Sequence, residues 1–360
     1  MLDRLSLTDF RNHRETRIEG TAQFNLLIGE NGAGKTNVLE ALSLFAPGRG
    51  LRRAALPDMA ASAGGGGFAI SADLVTDDGH AIRLGTGTQP ERPSRRLVHV
   101  NHADSSAVAL GEWASIGWLT PAMDRLFAES AGGRRRFLDR LVLARDPSHA
   151  RHAARLENAL RERNRLLSDE REPDGVWLDA IEAQLAEAGS AVAAARAALV
   201  TDLAGALAML PDQPFARPDV TYQPGGPTAQ DELTVALREG RRRDRAAQRT
   251  LCGPHRDELV VMMAGKAQPA AECSTGEQKA MLIAITLAHA ALVDARRPSV
   301  LLLDEVAAHL DPVRRAALFD RLRDGPAQVW MTGTEAAPFA AIENEAAIWR
   351  VEGGSAFRLG

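Results

Sequence analysis

The chain has 360 residues, 45% hydrophobic and 25% charged, with a formal net charge of −4. That length fits one large domain or two ordinary ones, and the composition fits a soluble globular protein. The negative balance excludes a surface that is basic all round, so nucleic acid would be met only by local patches, and no uninterrupted apolar stretch reaches about 18 residues, which argues against a membrane span.

Met1–Asp9 already alternates like a strand, with no apolar run behind a basic start, so no signal peptide is expected. The alternation runs on over Leu5–Ile18 and contains Phe10-Arg11-Asn12. Phe24–Ile28 is a short apolar run ending at Gly29, the pattern of a buried strand, and helical spacing follows the next loop from about Thr36 to Phe45. Gly64–Gly67 and Asp77-Asp78-Gly79 signal turns, while Phe68–Val75 and Ala81–Leu84 read as antiparallel strands. From about Gly133 to Leu210 the composition turns to alanine, arginine and leucine. Ile181, Leu185, Ala188, Val192, Leu199 and Leu203 recur at helical steps, and Pro211, Pro214 and Pro218 close the region. This predicts two or three helices. A further helix from about Gly276 to Ala295 precedes a strand at Ser299–Leu303. Cys252 and Cys273 lack metal-ligand spacing and read as reduced thiols of a cytoplasmic protein.

Three segments carry chemistry. Gly29-Glu30-Asn31-Gly32-Ala33-Gly34-Lys35-Thr36 fits G-x-x-x-x-G-K-[ST] between a strand and a helix. Its glycines let backbone N–H groups turn inward around phosphate oxygens, and the helix start adds its dipole. Lys35 is expected on the β- and γ-phosphates of ATP, Thr36 on Mg²⁺, and Asn37 beside them. The strand Ser299–Leu303 ends in Asp304 and Glu305. Asp304 is expected to hold Mg²⁺ through water, and Glu305 to polarise the attacking water. Ser274-Thr275-Gly276-Glu277-Gln278, ahead of a helix, resembles the signature of ABC ATPases, in which the serine hydroxyl and glycine backbone meet a γ-phosphate held by another subunit. Read without that likeness, Ser274 and Glu277 form a capping box, and both readings can hold together. Val306-Ala307-Ala308-His309-Leu310-Asp311 resembles the D-loop, with Asp311 at a dimer interface and His309 an interface or surface residue rather than a ligand. Near the end, Val329–Thr334 reads as a strand reaching the site. The switch histidine of ABC ATPases is absent, which leaves Thr332 or Thr334 as γ-phosphate sensor, and no Q-loop glutamine stands out.

The expected fold is α/β: an ABC-type P-loop ATPase head, a mixed sheet with flanking helices, carrying an inserted α-helical lobe. Residues 1–130 would form the N-terminal part of the ATPase domain, 131–245 the lobe and 246–360 the C-terminal part. Two arginine clusters are candidate DNA contacts. Arg134, Arg135 and Arg136 follow a Gly-Gly turn and are read alternatively as paired internally with the nearby Asp139 and Asp146; Arg241, Arg242 and Arg243 sit among Arg238, Arg245 and Arg249. Aromatic residues are few, so duplex backbone binding fits better than base stacking.

The order of these pieces resembles the RecF family. The likeness rests on Phe10-Arg11-Asn12, Asn31–Glu40 (NGAGKTNVLE), Gly48–Arg52 (GRGLR), Arg134–Asp139 (RRRFLD), Arg163–Leu167 (RNRLL) and Gly253–Asp257 (GPHRD), which together span most of the chain. That family usually has Ser-Pro and two acids before the triple arginine; here Leu119-Thr120-Pro121-Ala122-Met123-Asp124 puts the acid later. The resemblance implies ATP-driven dimerisation on duplex or gapped DNA, recombinational repair, help in loading RecA with RecO and RecR, and no membrane. Two other readings of the motifs are the nucleotide-binding subunit of a transporter, against which the missing switch histidine counts, and a scaffold that binds ATP without hydrolysing it, against which Asp304-Glu305 counts.

Overall fold

The computed structural model describes residues 1–62, 64–76, 79–171, 173–293, 297–307 and 310–359. Asp77 and Asp78 of the expected turn, Ala295 at the expected helix end, and Ala308 and His309 of the D-loop lie outside the described residues. In chain order the strands are β1 (Leu2–Phe10), β2 (His13–Glu19), β3 (Phe24–Ile28), β4 (Phe68–Val75), β5 (Ala81–Gln89), β6 (Arg92–Val100), β7 (Ala103–Asp104), β8 (Ser115–Leu119), β9 (Pro218–Gln223), β10 (Glu258–Met263), β11 (Gln268–Pro269), β12 (Ser299–Leu303), β13 (Gln328–Gly333), β14 (Ala346–Glu352) and β15 (Ser355–Leu359). The helices are α1 (Lys35–Ser43), α2 (Leu110–Trp113), α3 (Ala131–Arg145), α4 (His149–Ser168), α5 (Gly175–Ala208), α6 (Gln230–Ala246), α7 (Thr275–Leu292) and α8 (Pro312–Arg323). They form two compact units, one of Met1–Asp124, Gln213–Phe215 and Leu282–Gly360, the other of Arg125–Asp212 and Ala216–Met281.

In the first unit the alternating N-terminal stretch breaks into a hairpin, because Arg11 takes the left-handed region (φ 55°) and turns β1 back on β2. An antiparallel sheet runs in the order β2-β1-β4-β5-β6-β7. A second sheet runs β15-β14-β3-β13-β12-β8, with β14, β3, β13, β12 and β8 mutually parallel and β15 antiparallel at its edge. Both faces of the parallel strands are covered, so β12 reads as an almost continuous apolar run and β13 is buried along its whole length. One core joins the two sheets and α1: Leu5, Leu7 and Phe10 from β1, Val38, Leu39 and Leu42 from α1, and Leu302, Trp330 and Trp349 from the parallel sheet. Trp330 and Trp349 stack at 5.8 Å.

The second unit packs α3–α6 with the three-stranded sheet β11-β10-β9. Leu185, Ala188 and Val192 of α5 meet Leu156 of α4 and Leu233 and Leu237 of α6. With 34 residues, α5 has the length and composition to cross a membrane. Its Glu182 and Arg196, however, are buried in ion pairs with side chains of neighbouring elements, and α5 is the core helix of the unit. Arg163 of α4 is fully buried: Nε donates to Glu182 Oε1 (3.0 Å), Nη1 to Asp244 Oδ2 (2.7 Å) and Thr250 Oγ1 (2.8 Å), and Nη2 to Leu237 O (2.8 Å). Arg196 holds Asp139 with two bonds of 2.8 Å and Asp257 Oδ2 with a third.

Candidate active site

β3 delivers the chain to Gly29, where a Cβ would lie 2.2 Å from Val351 O, so only glycine fits against β14. Gly32 (φ 83°) and Gly34 (φ 115°) take the left-handed turns of the loop. Gly34 is the N-cap of α1 and supplies no side-chain cap. Lys35 is buried, and its Nζ donates to Gly29 O (2.6 Å) and Glu30 O (2.8 Å). Burial lowers its pKa, while the carboxylates of Glu305 and Asp304 push it back up.

Asp304 leaves β12 between two neighbouring parallel strands. Its N–H donates to Leu119 O at the end of β8 (2.9 Å), and its Oδ1 accepts from Thr36 Oγ1 (2.9 Å) and from Thr332 Oγ1 on β13 (2.8 Å). Thr332 Oγ1 in turn accepts the Glu305 N–H (2.8 Å). Glu305, half-buried, sits at φ 54°, a conformation that costs an ordinary residue about 1–2 kcal/mol. The two candidate sensors thus differ: Thr332 is fully buried on the carboxylate pair, and Thr334 is exposed. Thr36 and Asp304 offer only oxygen donors, the type Mg²⁺ selects. No group of three or more His, Cys, Asp or Glu forms a metal cage among the described residues. Mg²⁺ held here would therefore complete its shell with phosphate oxygens and water, the usual arrangement for this ion.

Sequence reasoning missed what stands behind the loop. The turn between β1 and β2 braces it: Asn12 Nδ2 donates to Ala33 O (2.9 Å), and His13 Nε2 lies 3.0 Å from Gly34 O. Burial lowers the His13 pKa, while the carbonyls of Gly34 and Gly354 push it back up. Asn12 Oδ1 accepts from Asn37 Nδ2 (2.7 Å), and Asn37 Oδ1 from Arg52 (2.6 Å). Glu40, fully buried in α1, is held by Arg11 through two bonds (2.6 and 2.9 Å) and by Arg52 (2.8 Å). At the far end of α1, Arg96 of β6 donates to Gly48 O (2.6 Å) and to Leu44 O. Phe10-Arg11-Asn12 and Gly48–Arg52 were legible only as family likeness; their work is to fix the carbonyls and the helix behind the phosphate loop.

Ser274, Thr275 and Gly276 are exposed at the start of α7. The capping box forms: Ser274 N–H donates to Glu277 Oε2 (2.9 Å), and Glu277 N–H to Ser274 Oγ (3.3 Å). Gln278 is buried and donates to Cys273 O (2.9 Å), so its side chain shapes the segment from within. Asp311, exposed, caps α8 by accepting the Arg314 N–H (2.9 Å). Asn31 and Gly32 are exposed on the phosphate loop, and Ala33 N–H donates to Glu30 O (3.2 Å).

The arginine clusters divide. Arg134 is bound by Glu258 (2.7 and 2.8 Å), a partner 124 residues away rather than Asp139 or Asp146, and Arg135 donates to Asp257 O (2.8 Å). Asp139 instead serves Arg196 and His149. Arg241 is held by Asp179 (2.5 Å) and Glu182 (2.6 Å). Arg136, Arg242 and Arg243 are exposed.

A glycine loop on α1, a carboxylate pair closing a parallel strand and a serine-capped helix define the class as an ABC-type ATPase head, and the RecF/RecN/SMC N terminal domain model matches residues 1–355. The chain is 48% identical to the DNA replication and repair protein RecF of Mesorhizobium japonicum, covering 98% of this chain and 97% of that one. It is 46% identical to the protein of the same name from Brucella abortus, covering 98% and 94%. It superposes on a solved structure described as the recombination mediator protein RecF-ATP in the RecFOR pathway with TM-score 0.86 at 20% identity, covering 100% of this chain and 97% of that chain. The chain belongs to the RecF family.

Proposed function

We propose that the chain binds ATP with Mg²⁺, hydrolyses it slowly, dimerises while the triphosphate is intact, and so acts as a DNA-held clamp in repair and replication. The observation that carries the reading is the arrangement at the end of β12, where Lys35, Thr36, Asp304, Thr332 and the strained Glu305 converge. The names of the relatives support the repair setting. In this reading the loop N–H groups from Gly29 to Thr36 cradle the phosphates and Lys35 leaves its two loop carbonyls for them. Thr36 and Asp304 hold Mg²⁺, whose positive charge offsets that of the phosphates. Glu305 orients and deprotonates the attacking water, with Thr332 fixing its backbone. Ser274 and Gly276 of a second copy close over the γ-phosphate, with Asp311 at the same junction. In this scheme residues 1–130 and 246–360 supply the ATPase and 131–245 the lobe.

DNA is met through phosphate contacts by exposed arginines, with Arg136, Arg242 and Arg243 the available ones, and the setting is the cytoplasm, with RecO and RecR as partners. The test is phosphate release with and without gapped duplex DNA, run beside sedimentation in ATP and in ADP. DNA is expected to raise turnover and ATP to shift the chain to dimer. Turnover and assembly both indifferent to DNA would sink the clamp, and ATP binding without any phosphate release would leave only a scaffold.

A further inference from the structure

Only three of the 43 basic residues are lysines: Lys35 in the phosphate loop, Lys266, and Lys279 in α7. Lys266 closes the turn between β10 and β11, a turn tight enough to hold Ala267 at φ 48°. Its Nζ lies 2.5 Å from Glu277 Oε1. The other oxygen of the same carboxylate accepts both the Ser274 N–H and the Ser274 Oγ–H, each at 2.9 Å. Glu277 is ionised throughout the physiological range, its pKa pushed down to about 2 by Lys266 and by Ser274.

This creates an electrostatic problem at the exposed tip of α7. A capping carboxylate stabilises a helix start, but here it sets a full negative charge beside the serine and glycine that are to receive a triphosphate. We infer that Lys266 is a positioning residue for the shared ATP site: its ammonium cancels the Glu277 charge, so that the tip of α7 keeps its attraction for the γ-phosphate of a second copy. The inference rests on the dimeric reading proposed above. As an ordinary exposed ion pair this contact would matter little for folding; its consequence falls on assembly, where an anion is brought to the tip. Lysine suits the task because its charge is compact and reaches one carboxylate oxygen, leaving the other for Ser274.

The experiment is sedimentation velocity of the full chain over a concentration series with Mg²⁺ and the slowly hydrolysed analogue ATPγS, comparing wild type, Lys266→Met, Glu277→Gln and the double variant. Lys266→Met is expected to raise the dimer Kd about tenfold, which is about 1.4 kcal/mol spread over two equivalent sites. Glu277→Gln keeps a capping side chain without the charge, and the double variant is expected to return to near the wild-type Kd. Binding of a fluorescent ATP analogue to the isolated monomer should be unaltered by Lys266→Met. A Lys266→Met dimer as tight as wild type overturns the inference, as does a defect that Glu277→Gln does not relieve, since that would mean a purely structural hairpin. A wild-type chain that stays monomeric with ATPγS overturns the dimeric reading itself, and is told apart from the other failures because no variant is needed to see it.

Discussion

Replacing Asn12 by Ala tests whether the β1–β2 turn sets the geometry of the phosphate loop. The side chain makes two hydrogen bonds, to Ala33 O and from Asn37 Nδ2. Each such bond contributes about 0.5–1.5 kcal/mol net, giving about 1–3 kcal/mol in all. The lower half of that range applies here. Asn12 is exposed, Ala33 O keeps the Gly354 N–H at 3.3 Å, and Asn37 keeps Arg52, so no buried group is orphaned. An expected loss of about 1–2 kcal/mol falls on the ordered loop and corresponds to a rise of roughly 5- to 30-fold in the Kd for ATP. Asn12→Asp should be worse than Asn12→Ala, because it sets a carboxylate against a carbonyl that can only accept. The assay is calorimetric titration with ATP and Mg²⁺, paired with thermal unfolding to show that the fold is intact. An Asn12→Ala protein that binds ATP within twofold of wild type would refute the brace, and so would an Asp variant that binds as well as the Ala one.

Thr332→Val keeps the shape of a fully buried side chain while removing the hydroxyl that joins Asp304 Oδ1 to the Glu305 N–H. The expected result is a fall in kcat of about 10- to 100-fold with little change in KM, checked by steady-state phosphate release; an unchanged kcat would take Thr332 out of the chemistry. Arg163→Met strips the charge from a buried cluster and, among the described residues, leaves the Asp244 carboxylate with the Leu251 N–H, so a loss of about 3–5 kcal/mol is expected in denaturant unfolding, and a loss under 1 kcal/mol would contradict the network. Arg242→Ala and Arg243→Ala should weaken duplex binding and flatten its salt dependence without moving the thermal midpoint. Arg241→Ala should lower the midpoint instead, and an Arg242/Arg243 double variant that binds DNA at wild-type strength and salt slope would remove those residues from the interface.

The elements that were legible in the sequence are of two kinds: strands such as Phe68–Val75, whose burial alternates residue by residue, and strands whose burial is uniform. Phe24–Ile28 and Ser299–Leu303 are covered on both faces, so their apolar runs mark them without reference to anything distant. Strand β6 was not legible, because among the described residues its outer edge pairs only with the short β7, and Arg92, Pro93, Ser94 and Arg95 are tolerated there. Composition and spacing pointed to two or three helices over about Gly133–Leu210, where α3, α4 and α5 lie, but the sequence could not separate arginines that face water from those that hold the lobe together. Arg241 and Arg242 are neighbours in one helix. What divides them is Asp179 and Glu182, more than fifty residues earlier on α5, and no local pattern announces that pairing.

The same asymmetry shapes the candidate site. Lys35, Thr36, Asp304 and Glu305 stood out because their motifs fix both residue type and spacing, and the structure brings them together. Asn12 and His13 answer to the loop carbonyls they face, Glu40 to Arg11 and Arg52, and the choice of Thr332 over Thr334 to Asp304 and the Glu305 N–H; a carbonyl brace can be built from any donor at the right height. Such residues are constrained by distances across the fold, 2.9 Å from Asn12 to Ala33 and 2.8 Å from Thr332 to Asp304, and leave little trace in the order of residues along the chain. A phosphate loop works only if its carbonyls point away from the ligand, and here that is secured from outside the motif, by two side chains of a hairpin turn whose own fold depends on the sheet beneath it. The antiparallel sheet thus holds the glycine loop in shape from outside the motif.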